Sequence, residues 1–147
     1  MPFFDPRQTP SFEPVPGCRL TTPAGDSLML SHVQMDDGAQ IPEHAHHHEQ
    51  AGVVIEGTLE LTIGEQTRRL EKGEMYIIPG DTPHAATAIG PTVVMDVFTP
   101  IREDYALAMK NAAEPEATNS RATMKDAMKD AMKDAIDSAA SQPNSPA

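Results

Sequence analysis

The feature that most constrains this chain is an alternation of period two over Thr58–Ile63, where Leu59, Leu61 and Ile63 interleave with Thr58, Glu60 and Thr62. Side chains on a strand point alternately to opposite faces, so this pattern buries one face and wets the other. Gly64-Glu65 follows as a two-residue hairpin turn, with Gln66–Leu70 as the returning strand. Further apolar runs at Ser27–Met35, Met75–Ile78 and Thr92–Phe98 are short and separated by turn signals such as Asp36-Asp37-Gly38. No long helical period precedes Arg102. Many short strands with regular turns predict an all-β sandwich or barrel.

The 147 residues suffice for one domain. Residues 1–16 are proline-rich and aperiodic and read as an extended arm. Residues 17–105 hold the strand pattern, and 106–147 form a helical or low-complexity tail. Within it, Glu103–Asn111 at the boundary reads as a short helix, and Glu114-Pro115-Glu116 as a linker. A Met-Lys-Asp-Ala repeat then places Met124, Met128, Met132 and Ile136 in a stripe that drifts around a helix. Such a stripe reads either as a docking helix or as a tail that is marginally helical alone. Ser138–Ala147 reads as disordered.

The net charge is −11, and residues 1–120 carry the whole excess, with 18 acids against 7 Lys or Arg. Nucleic-acid binding needs clustered cations, which the pair Arg68–Arg69 does not supply, so no nucleic-acid partner is expected. No apolar stretch is long enough for a bilayer, and Met1–Pro10 lacks the apolar run of a signal peptide. A cytoplasmic location without membrane contact is the expectation. Cys18 is the single cysteine, which rules out an intrachain disulfide and reads as a lone semi-buried thiol.

Four of the six histidines, His44, His46, His47 and His48, lie in one segment followed by Glu49 and Gln50. If that segment is extended, His44, His46, His48 and Gln50 share a face, and His44 and His46 can converge on one ion. Gln50 joins them only through a bend or a neighbouring strand. His84 closes the segment Pro79-Gly80-Asp81-Thr82-Pro83 after an apolar strand. Three imidazoles and one amide oxygen make a borderline-soft donor set for a divalent transition metal such as Ni, Fe, Mn, Co, Cu or Zn. His48 is a candidate for a supporting or substrate contact, and His32 has no assigned role. Asp96 stands inside the apolar run Thr92–Phe98, on the same face as Phe98 by alternation. Taken alone, Phe98 reads as core. Arg102 either pairs with Glu103 or Asp104 or grips a carboxylate bidentately.

These spacings resemble the two motifs of the cupin family. The first runs Gly38, five residues, His44-Ala-His46, three residues, Gln50, six residues, Gly57. The second runs Gly73, five residues, Pro79-Gly80-Asp81, two residues, His84. Gln50 stands where the family usually has Glu, and Asp81 where it usually has Gly, a turn position that Asp tolerates at positive φ. The resemblance implies a single small cupin barrel, a jelly roll. More closely, His44–Gln50 and Asp96–Asp104 resemble the pectin-degradation cupins of the KdgF family, over roughly Val15 to Tyr105. That resemblance implies metal ligands at His44, His46, Gln50 and His84, and catalytic-site residues at Asp96, Phe98 and Arg102. It implies metal-dependent ring opening of 4,5-unsaturated monouronates from pectin or alginate to linear keto-aldehydes, hence an anionic sugar substrate, and a homodimer is expected. Other cupin chemistries remain alternatives: a dimethylsulfoniopropionate lyase, a dioxygenase, or a sugar or metal binder without enzymatic activity.

Overall fold

The computed structural model of the chain describes residues 3–114. The Met-Lys-Asp-Ala repeat and the segment after it lie outside the described residues. Eight strands and one helix follow in order: β1 (Phe12–Val15), β2 (Cys18–Thr21), β3 (Met29–Met35), β4 (Gln40–His44), β5 (Glu49–Ile63), β6 (Gln66–Glu71), β7 (Met75–Ile78), β8 (His84–Thr99) and α1 (Glu103–Ala113). All pairings between strands are antiparallel.

The long strands β5 and β8 organise the molecule. The first half of β5 pairs with β7 and the second half of β8, while its second half pairs with β6 and the first half of β8. Register shifts between Val54 and Thr58 bend β5 at the changeover. Bulges of this kind let one strand serve two packed sheets. One layer reads β1-β2-β3-β8-β5-β7 and the other β4-β8-β5-β6. The hairpin expected at Gly64-Glu65 is present, with Ile63 opposite Gln66, and Thr62 and Thr67 hydroxyls bonded at 2.8 Å.

Alternation decides what lies between the layers. On β3, Met29, Ser31, Val33 and Met35 are buried while Leu30 and Gln34 are exposed. On β8, Thr92, Val94, Asp96 and Phe98 point inward between half-buried Val93, Met95 and Val97. The core joins these to Val54, Leu59, Leu61, Leu70 and Ile78. Part of the proline-rich arm is a strand, since β1 pairs along β2.

A cis Thr99–Pro100 bond leads from β8 into α1. The acids Glu103 and Asp104 in the helix's first turn complement its dipole. Tyr105 and Ala108 are its buried residues. The Tyr105 ring lies 5.4 Å from Phe12 and 5.8 Å from Phe98, so one aromatic cluster ties helix and arm to the barrel. Each such pair is worth about 0.5–1.5 kcal/mol beyond burial.

Candidate metal centre

His44 ends β4 and His84 begins β8, and the two are cross-strand partners with ring centroids 4.3 Å apart. His46 comes from the irregular stretch just before the bend at His47 and His48, not from a strand. The extended run from His44 to Gln50 is therefore corrected: β4 stops at His44 and β5 starts at Glu49. The cause is the turn before His84. Gly80 lies so close to the His47 backbone that a Cβ there would collide with its carbonyl, and the Asp81 N–H donates to the His46 carbonyl at 2.7 Å. Asp81 takes a φ of 62°, as expected of a turn residue at that place. The two histidine segments are thus clamped backbone to backbone.

The three rings are pre-set as ligands. Each uses Nδ1–H on a backbone carbonyl: His44 to Pro42 at 2.8 Å, His46 to His48 at 3.0 Å, and His84 to Thr82 at 2.8 Å. That tautomer leaves each Nε2 lone pair free. Burial lowers all three pKa values, that of His44 to about 4 and that of His46 to about 3, so the imidazoles are neutral at pH 7. Ligating atoms of the three lie within 4.8 Å of one another, a group able to hold a metal ion. His84 Nε2 is buried without a hydrogen-bond partner.

Gln50, at the start of β5, brings its Oε1 to 3.2 Å from His46 Nε2. The other end of each side chain is committed: His46 Nδ1 to a carbonyl, and the Gln50 amide to the Asp96 carboxylate. Two lone pairs then face each other, an approach that a shared cation relieves. The donor set therefore fits a divalent ion.

Asp96 is 7% exposed and also accepts a 2.5 Å hydrogen bond from the Tyr76 hydroxyl. Tyr76 on β7 and Asp96 on β8 flank Gly52 on the intervening β5. They meet over the glycine, where any Cβ would overlap both side chains. Burial pushes the Asp96 carboxyl up to about 6, although the bonds from Tyr76 and Gln50 and the nearby Arg102 charge pull the other way. Ser31 is its cross-strand partner on β3, fully buried, with an unpartnered hydroxyl.

Phe98 lies beside the histidines, its ring 5.7 Å from that of His46, and it belongs to the core cluster as well. Arg102 is 6% exposed and lines the same cavity as His44, Gln50, His84, Asp96 and Phe98. Its guanidinium stacks 3.8 Å from the Tyr105 ring centroid, and Nε and Nη2 donate to Asp104 at 3.3 and 2.9 Å. It is thus an ion-pair partner of Asp104, one of the two sequence readings, but buried at the cavity. His48 is buried with both ring nitrogens unpartnered, against His46 and His47 and outside the cavity lining.

Sequence reasoning missed Tyr76, Gly52 and Ser31. Tyr76 sits between outward Met75 and Ile77, so its inward direction was readable. An isolated glycine inside a strand was the signal for a close approach at Gly52.

The sequence profile of the cupin domain matches residues 31–98, which contain both histidine segments and Asp96. No curated protein matches the chain. Among solved structures, KdgF from Halomonas sp. is 33% identical with a TM-score of 0.66, over 71% of this chain and 97% of that one. An RmlC-like cupin from Shewanella frigidimarina is 26% identical with a TM-score of 0.68, over 71% and 96%. Salicylate 1,2-dioxygenase from Pseudaminobacter salicylatoxidans, at 17% identity and a TM-score of 0.55 over 57% and 26%, shares the fold alone. The chain belongs to the cupin family.

Proposed function

We propose that this cupin opens the ring of 4,5-unsaturated monouronates, with a divalent transition ion held by His44, His46, Gln50 and His84. The observation that carries the reading is the buried Asp96, oriented by Tyr76 and Gln50 beside three neutral histidines and Arg102. The similarity to KdgF supports it. All four ligands are neutral, so a bound ion keeps its full charge and supplies Lewis-acid polarisation of substrate oxygens.

The reaction is an isomerisation, so atoms balance without a co-reactant. A proton leaves the C1 hydroxyl, the bond from C1 to the ring oxygen breaks with its electron pair on oxygen, and an aldehyde and a C5 enolate form. A proton then adds to C4, and the enolate becomes a ketone. Asp96 takes the hydroxyl proton and returns one to C4, a task suited to a carboxyl poised near 6. Tyr76 and Gln50 hold its oxygens in place. Phe98 forms an apolar wall that keeps water from the enolate.

Arg102 binds the substrate carboxylate. Its Asp104 partner already satisfies it bidentately, so substrate replaces one carboxylate by another. The cavity measures about 50 Å3, room for a few waters, so the Arg102 side chain must shift as a six-carbon acid enters. The test is loss of ultraviolet absorbance from unsaturated galacturonate, measured against its spontaneous rate with metal-loaded and chelator-treated protein. Acceleration by the loaded protein only is expected. Equal rates in all three samples would end this reading.

A further inference from the structure

The inward row of β3 runs Met29, Ser31, Val33 and Met35, so one hydroxyl stands among three apolar side chains. Ser31 is fully buried, and its Oγ has no hydrogen-bond partner. Other buried hydroxyls are satisfied. Thr92 Oγ1 lies 3.0 Å from the carbonyl oxygens of both Thr58 and Gly90, and Thr22 Oγ1 donates to the Tyr105 carbonyl at 3.4 Å. A buried hydroxyl without a partner is destabilising, and alanine would fill nearly the same space without that cost. The fold alone therefore gives no reason for a serine at this position.

Its surroundings supply one. Ser31 lines the same cavity as Asp96, Arg102, His44, Gln50 and His84. It is the cross-strand partner of Asp96, and side chains so placed have Cβ atoms about 4.5–5.5 Å apart. Strands β3 and β5 pair with β8 from opposite sides, so Gln50 and Ser31 flank Asp96 from opposite directions. Asp96 takes its hydrogen bonds from Tyr76 and Gln50, and the Ser31 hydroxyl is not among them. That hydroxyl is sealed from water in the free protein. It is left for a group brought into the cavity as the Arg102 side chain moves aside.

We propose that Ser31 is a substrate-binding residue whose hydroxyl hydrogen-bonds a ring hydroxyl on the C2–C3 edge of the uronate. This inference rests on the proposed reaction and deepens it. In that reaction Asp96 works on the C1 hydroxyl and on C4, which lie across the ring from each other. Between them one edge holds the ring oxygen and C5 with its carboxylate, and the other holds C2 and C3 with their hydroxyls. The carboxylate edge goes to Arg102, whose charge is felt by all three ligand histidines. The C2–C3 edge then faces away from Gln50, toward β3, where Ser31 is the buried hydroxyl beside Asp96. Pairing there relieves the unpartnered Oγ, so the cost carried by the empty protein favours a hydroxylated acid over one without hydroxyls.

Ser31→Ala in the metal-loaded full chain tests it, with a turnover arm and a binding arm. On unsaturated galacturonate the variant should raise KM about two- to tenfold with kcat little changed, the mark of a lost binding contact. The original protein should discriminate against either the 2-deoxy or the 3-deoxy analogue by a similar factor, and Ser31→Ala should erase that preference, which also tells which hydroxyl is held. Calorimetry with galacturonate, a saturated acid with the same C2 and C3 hydroxyls, should show a two- to tenfold weaker Kd for the variant. The melting temperature of the free variant should equal or exceed that of the original, because an unpaired hydroxyl is removed. Equal galacturonate affinity in the two proteins, or no binding by either, would overturn the proposal. A lower melting temperature would make the hydroxyl a structural one and overturn it too. So would a fall in kcat with a shifted pH profile and unchanged deoxy discrimination, which would mean that Ser31 acts through Asp96. If the original protein fails to turn over unsaturated galacturonate, the proposed reaction falls, and a weaker galacturonate Kd for Ser31→Ala would still support Ser31 as a sugar-hydroxyl contact.

Discussion

The substitution Gln50→Glu restores the residue common in cupins and, in this chain, should be damaging. Asp96 is 7% exposed and accepts hydrogen bonds from the Gln50 amide and the Tyr76 hydroxyl. A glutamate in place of Gln50 exchanges a donor for a second carboxylate. Losing the charge-assisted bond costs about 1.5–3 kcal/mol. Two like charges about 4 Å apart repel by about 4 kcal/mol at an effective dielectric of 20, and relaxation or a shared proton removes part of that. A net loss of about 3–4 kcal/mol is expected for metal-free protein at pH 8, where Asp96, with its pKa near 6, is ionised. Asp96→Asn in the same chain should repair it, because the asparagine amide then donates to the introduced carboxylate. Guanidinium unfolding of the two single variants and the double variant gives the coupling, expected at about 2 kcal/mol or more. A Gln50→Glu protein within about 0.5 kcal/mol of the original, or additive variants, would refute the claim that Gln50 is present to partner Asp96.

His44→Ala or His84→Ala should remove most of the bound metal, and full occupancy in the His84→Ala protein by elemental analysis would sink the ligand assignment. In steady-state kinetics Arg102→Ala should raise KM about ten- to a hundredfold, through one lost charge-assisted pair. Asp96→Asn should instead lower kcat about a hundredfold or more, and both proteins should still bind metal. Cys18 is fully buried and its thiol is pushed up to about 11, chiefly by burial, so it stays protonated at pH 8. It should resist a thiol-disulfide reagent at that pH in folded protein and react at once in guanidinium, and fast labelling of the folded state would contradict the packing of β2 on β3.

The site was legible in sequence where local spacing determines it. The two motifs located His44, His46 and His84, and alternation along β8 placed Asp96 and Phe98 inward with Val97 outward. Alternation misled over His44–Gln50, because the chain bends where Gly80 packs on the His47 carbonyl, a contact between segments far apart in the chain. The Tyr76–Asp96 pair was invisible for the same reason: it depends on β7, β5 and β8 lying side by side with Gly52 between. Met75–Ile78 read as an apolar strand, yet Met75 and Ile77 face outward. Pattern identifies a strand but does not say which of two apolar faces meets the core. Arg102 left two readings open because its burial depends on Tyr105 and Asp104 folding back over the barrel end.

Proton NMR of unsaturated galacturonate in deuterium oxide tests the central claim most directly. With metal-loaded protein, the vinylic C4 proton signal should vanish well above the spontaneous rate. One deuterium should enter at C4 as the linear keto-aldehyde forms, and Asp96→Asn should return the rate close to background. A signal that decays at the spontaneous rate with fully loaded protein would contradict the account.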